Sequence, residues 1–140
     1  MQALRAGLTV YYATLPHLIA DLKKAEQTGN LERKIKAYLR TDILVVDEVG
    51  YMQLDRNAAE LLFRIVCKRY ETGSILLTSN KFFTNWGELM SDVVIATAML
   101  DRLLHHAHVI NIRGETYRLK DRVKAGFVTT PPAAIHSTIP

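Results

Sequence analysis

The sequence predicts an α/β domain built on a parallel β-sheet with helices on both faces. Three observations carry this expectation. Short runs rich in apolar and β-branched residues, LTVYYAT (8–14), DILVVD (42–47) and SILLTSN (74–80), alternate with stretches of helical periodicity. The runs are largely apolar, as strands buried on both faces are, and strands separated by helices pair in parallel because a parallel pair needs a long crossover. Each run ends in polar residues: Thr14, then Asp47 with Glu48, then Thr78, Ser79 and Asn80. Right-handed crossovers bring these ends to one edge of the sheet, the edge at which open α/β sheets bind ligands.

The elements follow in order. After the first strand, LPHLIADLKKAEQTG (15–29) spaces Leu15, Leu18, Ile19, Leu22 and Ala25 along one helical face, with Pro16 in the first turn and Gly29 at the end. A second short helix, LERKIKAYLR (31–40), leads into the central strand. DRNAAELLFRIVCKRYETG (55–73) then offers Asp55 as an N-cap, a stripe of Leu61, Leu62, Ile65 and Val66, and Gly73 as a C-terminal stop. Beyond the third strand, DVVIATAMLDRLLHHA (92–107) reads as a helix, and HVINIRGETYRL (108–119) as a strand, a turn at Gly114 and a second short strand. Residues 123–140 contain adjacent prolines and almost no charge, and are expected to be disordered.

With 140 residues, 49% hydrophobic and 23% charged, the chain has the composition of one ordinary globular domain. Its longest apolar runs, such as Val93–Met99, fall far short of the roughly 20 residues that span a bilayer, and no signal-peptide core is evident, so no membrane partner and a cytoplasmic location are expected. The single Cys67 excludes a disulfide framework or a CxxC metal site and reads as a buried structural thiol. The net charge of +4 is compatible with a polyanionic partner. Lys23, Lys24, Arg33, Lys34 and Lys36 are the candidate contacts, although such charges more often form a solvated helix face. A metal reading would use His105, His106 and His108 with Asp101. Adjacent helical histidines point about 100° apart, however, and no second ligand cluster is evident.

The stretch ILVVDEVGY (43–51) poses the chemical question. A carboxylate at the end of a buried strand is costly unless a cation or hydrogen bonds compensate it, and two adjacent carboxylates are worse. Mg²⁺ would meet that cost: in P-loop NTPases an Asp after an apolar strand holds the ion on the nucleotide phosphates, and a neighbouring acid polarises the attacking water. The plainer alternative is that the two acids only begin a loop. In LLTSN, Asn80 ends the next strand where it could orient a water or sense a γ-phosphate. LDRLLHH places Arg102 on a helix with His106 at i+4, while Leu100, Leu103 and Leu104 can pack inward.

Together, the run from ILVVDEVGYMQLDRNAAELL to SILLTSN, followed by NWGELMSD and LDRLLHHAHVINIRGETYRLKDR, resembles the IstB transposition helpers, AAA+ ATPases related to DnaC-type helicase loaders. The resemblance covers about residues 4 to 122. It implies that residues 1–122 form part of a P-loop NTPase (AAA+) core with ATP and Mg²⁺ as cofactors. By position, Asp47 and Glu48 match the Walker-B pair, with Asp47 meeting Mg²⁺ through the nucleotide and Glu48 acting on water. Asn80 matches sensor 1. Arg102 matches an arginine finger that acts on a neighbouring subunit's ATP, and Arg118, in TYRL, matches a further basic position at the nucleotide. The implied partners are DNA, a transposase and further copies of the chain.

One part of that machinery is absent from the sequence. The seven glycines lie at least a dozen positions apart, so no GxxxxGK[ST] loop occurs in the 140 residues. In the family that loop follows a first, central strand, and MQALRAG (1–7) looks like the end of the helix after it. A core lacking its first strand and P-loop, with weak ATP binding by the chain alone, is therefore expected. The other readings are a degenerate DNA- or protein-binding module without ATPase activity, and a DnaC-type helicase loader.

Overall fold

The computed structural model describes residues 2–112. Arg118 and the 123–140 tail lie outside the described residues, as do the predicted turn at Gly114 and the strand after it. The regular elements all fall within one compact unit that ends at His108. They are α1 (Gln2–Arg5), β1 (Val10–Thr14), α2 (Leu15–Gln27), α3 (Leu31–Leu39), β2 (Ile43–Val49), α4 (Arg56–Arg69), β3 (Ser74–Ser79), a 3₁₀ turn (Phe83–Asn85), α5 (Trp86–Leu89) and α6 (Val93–His105).

The three strands form a parallel sheet in the order β1-β2-β3. The register aligns Tyr11, Leu44 and Ile75 across the sheet, and likewise Ala13, Val46 and Leu77. These side chains belong to or pack on one core with Leu15, Leu18 and Leu22 of α2, Tyr38 of α3, Leu61, Leu62 and Ile65 of α4, and Trp86, Met90 and Met99 beyond β3. The helical periodicity of 15–29 is thus realised: all five predicted inward positions of α2 are buried. Asp55 caps α4 by accepting the Ala58 N–H at 2.8 Å, and Asp92 caps α6 in the same way through Val94 and Ile95.

The opposite face departs from expectation. There the register aligns Tyr12, Val45 and Leu76, and Tyr12 and Leu76 are 60% and 54% exposed. The described helices cover one face only. Helix α1, four residues long with none buried, does not close the other. Three smaller readings are also corrected. Cys67 is half-buried on α4 rather than fully buried. Residues 108–112 carry no regular secondary structure, so the strand predicted from His108 is not present there. Helix α4 ends at Arg69, with Tyr70 extended and Glu71 at φ 60°, so Gly73 does not stop it.

Gly73 has another role, set by Arg69. A Cβ at position 73 would lie 2.7 Å from the Arg69 guanidinium, so only glycine leaves room for it. Arg69 is 1% exposed. Its guanidinium donates to the carbonyls of Tyr38 at 2.9 Å, Thr41 and Asp42 at 3.0 Å, and Ser74 at 2.9 Å. These are the end of α3, the entry to β2 and the first residue of β3. The Asp42 carboxylate in turn accepts the Thr9 N–H and hydroxyl at 2.8 and 2.6 Å, which joins the entry to β1. Burial pulls the Arg69 pKa below its usual value and the Asp42 charge opposes this, so the guanidinium remains a cation.

Replacing Arg69 by Met removes four donated hydrogen bonds at once. At roughly 1 kcal/mol each, net, the variant should lose about 3 kcal/mol or more of stability. Arg69→Lys should recover little of this, because an ammonium cannot span the same carbonyls. Urea unfolding of the three proteins measures the effect; an Arg69→Met midpoint equal to that of the unaltered chain would show that the guanidinium does not hold the strand entries together.

Candidate functional site

At the opposite edge of the sheet, β2 stays in register with β1 through Asp47 and Thr14. Its pairing with β3 slips, from Val46 opposite Leu77 to Val49 opposite Ser79. β2 therefore carries one extra residue, a bulge spanning Asp47 and Glu48. Glu48 takes φ 64°, a left-handed conformation that costs a non-glycine residue of order 1 kcal/mol or more. The bulge separates the two acids. Asp47 stays half-buried on the open face of the sheet, whereas Glu48 is re-aimed at the rim and exposed.

Asp47 is fully engaged. Its Oδ2 accepts the Tyr12 hydroxyl at 2.7 Å; its Oδ1 accepts the Thr78 hydroxyl and the Glu48 N–H, the latter at 3.0 Å. The hydrogen bond from Thr78, followed by that from Tyr12, holds the Asp47 carboxyl below the usual carboxylate range. The same contact, seen from the phenol, raises the Tyr12 pKa. The carboxylate is thus kept ionised by donors from both neighbouring strands, a hydrogen-bonded solution to the cost that the sequence poses.

Asn80 completes the edge. Its N–H donates to the Val49 carbonyl at 3.3 Å, and its side-chain oxygen lies against Gly50. A Cβ on Gly50 would come within 2.3 Å of that oxygen and 2.6 Å of Lys81 Cγ, and Gly50 also has φ 106°. Glycine is required twice over, for the backbone and for the approach. The strand ends therefore bring Asp47, Glu48 and Asn80 together as the spacing predicts. They add three residues that sequence reasoning did not single out for the site: Tyr12, Gly50 and Lys81. Tyr12 was detectable in principle, because it precedes Thr14 by two and so shares a sheet face with Asp47.

Arg102 is placed elsewhere. On α6, its Nη1 donates to the Ala98 carbonyl at 2.9 Å, and its guanidinium carbon stands 5.2 Å from the centre of the Phe63 ring on α4. It does not share a helix face with His106, because α6 ends at His105 and His106 has left the helix. Leu100 and Leu103 pack on the core as predicted, but Leu104 is 38% exposed. Among the basic candidates, Lys23 pairs with Asp55 at 2.6 Å and Lys34 with Asp21 at 2.7 Å, which neutralises part of the expected face; Lys24, Arg33 and Lys36 are exposed. Arg118 lies outside the described residues. No described helix is long and apolar enough to cross a membrane.

With this geometry, comparison with known proteins is specific. Residues 1–125 match the family of IstB-like ATP binding proteins. The chain is 49% identical over 129 residues to an insertion sequence IS21 protein of Pseudomonas aeruginosa, named for ATP binding, covering 92% of this chain and 49% of that one. It spans about half the length of the curated relatives it matches. Among solved structures, the fold is similar to AMPPCP-bound DnaA from Aquifex aeolicus, with a TM-score of 0.60 and 18% identity over 69% of this chain and 31% of that one. It is also similar to the DnaC helicase loader, with a TM-score of 0.55 and 21% identity over 71% of this chain and 61% of that one. The parallel three-stranded α/β fold is thus similar to AAA+ P-loop NTPase folds, and the chain belongs to the family of IstB-like ATP binding proteins.

Proposed function

We propose that this chain supplies the Walker-B, sensor-1 and arginine-finger part of an ATP-dependent helper that assembles on DNA and assists a transposase. The observation that carries the proposal is the sheet edge at which Asp47 is held ionised between Tyr12 and Thr78, with Glu48 turned out beside it and Asn80 drawn in over Gly50. Carboxylate and amide oxygens on a rigid edge suit a hard cation such as Mg²⁺, whose bound charge would neutralise nucleotide phosphates. In this reading Asp47 holds the ion, Glu48 takes a proton from the attacking water, and the Asn80 amide orients that water. The phosphate-cradling amides come from outside the 140 residues, which contain no GxxxxGK[ST]. Among the described residues, β3 has no strand on its second edge, and a P-loop-bearing strand can pair there.

Arg102 acts in trans in this proposal. Its present contacts, one carbonyl and one aromatic face, are together worth only about 1–2 kcal/mol, so the side chain can be drawn away toward a neighbouring subunit's nucleotide. A second reading, a binding module without turnover, is favoured by the absence of a P-loop from these residues. It gives Glu48 and Asn80 no chemical role.

Titration of the chain with labelled Mg·ATP should give no micromolar binding. Once the chain is joined to a P-loop-bearing segment, Glu48→Gln should retain Mg·ATP while hydrolysis falls by about 10²–10⁴-fold. Hydrolysis at the unaltered rate in that variant would favour the second reading.

In the same joined protein, Arg102→Ala should leave the nucleotide affinity of the isolated subunit nearly unchanged and lower hydrolysis in the assembled state by roughly 10³-fold or more. Mixing Arg102→Ala with Glu48→Gln subunits should restore part of the activity, because some interfaces then pair an intact Glu48 with an intact Arg102. Co-assembled mixtures no more active than either variant would contradict the trans role.

A further inference from the structure

The ends of α4 and α6 meet at a cluster that the Walker-B edge does not use. The expectation that adjacent histidines diverge assumed that both were helical. His105 is the last residue of α6, but His106 has φ −124°, and the two rings come to 4.2 Å between centres. The third member is Glu71, just beyond α4, with Oε1 3.8 Å from His106 Nε2. One donor atom from each of Glu71, His105 and His106 lies within 4.8 Å of the other two. The residues that meet are thus two of the three predicted histidines with Glu71, in place of Asp101 and His108.

We propose that Glu71, His105 and His106 form a site for a divalent transition-metal ion, with Zn²⁺ the best match. Two imidazoles and a carboxylate with an open fourth position are a common zinc donor set, and tetrahedral ligands at such an ion stand about 3.3 Å apart. The donor atoms already lie within 4.8 Å of one another, and all three side chains are exposed, so an ion can reach them from solvent. Two further features favour a cation. The last-turn carbonyls of both helices face this end of the molecule, where a positive charge is stabilised. The Tyr70 hydroxyl lies 2.5 Å from His105 Nδ1 and its ring stacks on the imidazole, restricting His105 in the way that outer-shell partners orient metal-bound histidines. A bound ion would pin the end of α6 to the end of α4, one turn from Arg102.

The test is a titration of the full chain with Co²⁺, followed by visible absorption, with Zn²⁺ as competitor. A single Co²⁺ should bind with a tetrahedral spectrum and be displaced by Zn²⁺. His105→Ala, His106→Ala and the isosteric Glu71→Gln should each weaken binding by about tenfold or more. His17→Ala, His108→Ala and His136→Ala, which remove the remaining histidines, should leave it within about twofold. Far-ultraviolet circular dichroism verifies that each variant is folded, and at a given Zn²⁺ concentration the thermal midpoint of the unaltered chain should rise more than that of Glu71→Gln. No saturable binding, binding unaffected by Glu71→Gln, or binding that depends on His108 or His136 in place of Glu71 would each overturn the assignment.

Discussion

The position of β2 between its two parallel neighbours is the constraint on which the rest of the structure depends. It is fixed at its entry by Arg69 and Asp42, which together tie in Thr9 just before β1 and the first residue of β3, and at its exit by the hydrogen bonds on Asp47. A slip of one residue would turn every side chain of β2 to the other face, burying Asp47 in the core and exposing Leu44 and Val46. Hydrophobic burial on one face alone would penalise that slip. The polar contacts at both ends make the register specific, because each has a single geometry and the donors of the buried Arg69 guanidinium are costly to leave unmade.

The site's chemistry follows from that register and from one local departure from it. Without the bulge, Asp47 and Glu48 would point to opposite faces in simple alternation, and Glu48 would enter the core side of the sheet. The extra residue, carried at φ 64° on Glu48 and φ 106° on Gly50, places one acid on the open face and the other at the rim. Strain of this type persists only where the surroundings over-determine it, and here they do: Thr78 holds the Glu48 N–H on one side and Asn80 occupies the space that a side chain at position 50 would need. The Asp47 carboxylate is oriented before any ligand arrives, so binding need not first order it.

Much of this was legible in the sequence. The inward stripe of α2, the Asp55 cap and the convergence of Asp47, Glu48 and Asn80 all follow from periodicity, capping chemistry and the topology of parallel strands. What was not legible depends on contacts between distant segments. Arg69 sits in the last turn of α4, where a basic residue ordinarily complements the helix dipole at the surface; only the tertiary structure shows that it turns inward to four carbonyls. The apolar runs of β1 and β3 suggested cover on both faces, yet apolarity records what a strand can bury and not which neighbours are present, and Tyr12 and Leu76 remain exposed. Gly73 looked like a helix stop because glycine commonly is one, whereas its place is decided by the volume of Arg69. His105 and His106 were separated on helical geometry, and the helix ends between them.

At the sheet edge Asp47 stands as an ionised, pre-oriented carboxylate. NMR titration of the Asp47 side-chain carboxyl measures this directly, in the unaltered chain and in a variant carrying Tyr12→Phe and Thr78→Val. Asp47 should titrate below the usual carboxylate range in the unaltered chain and return toward that range in the variant. Because the folded-state pKa is lowered, the associated stability is present above the ordinary carboxylate pKa and is lost as pH falls through the lowered value. An Asp47 that titrates in the ordinary range and does not respond to loss of both hydroxyls would show that the Tyr12 and Thr78 hydroxyls do not set its charge.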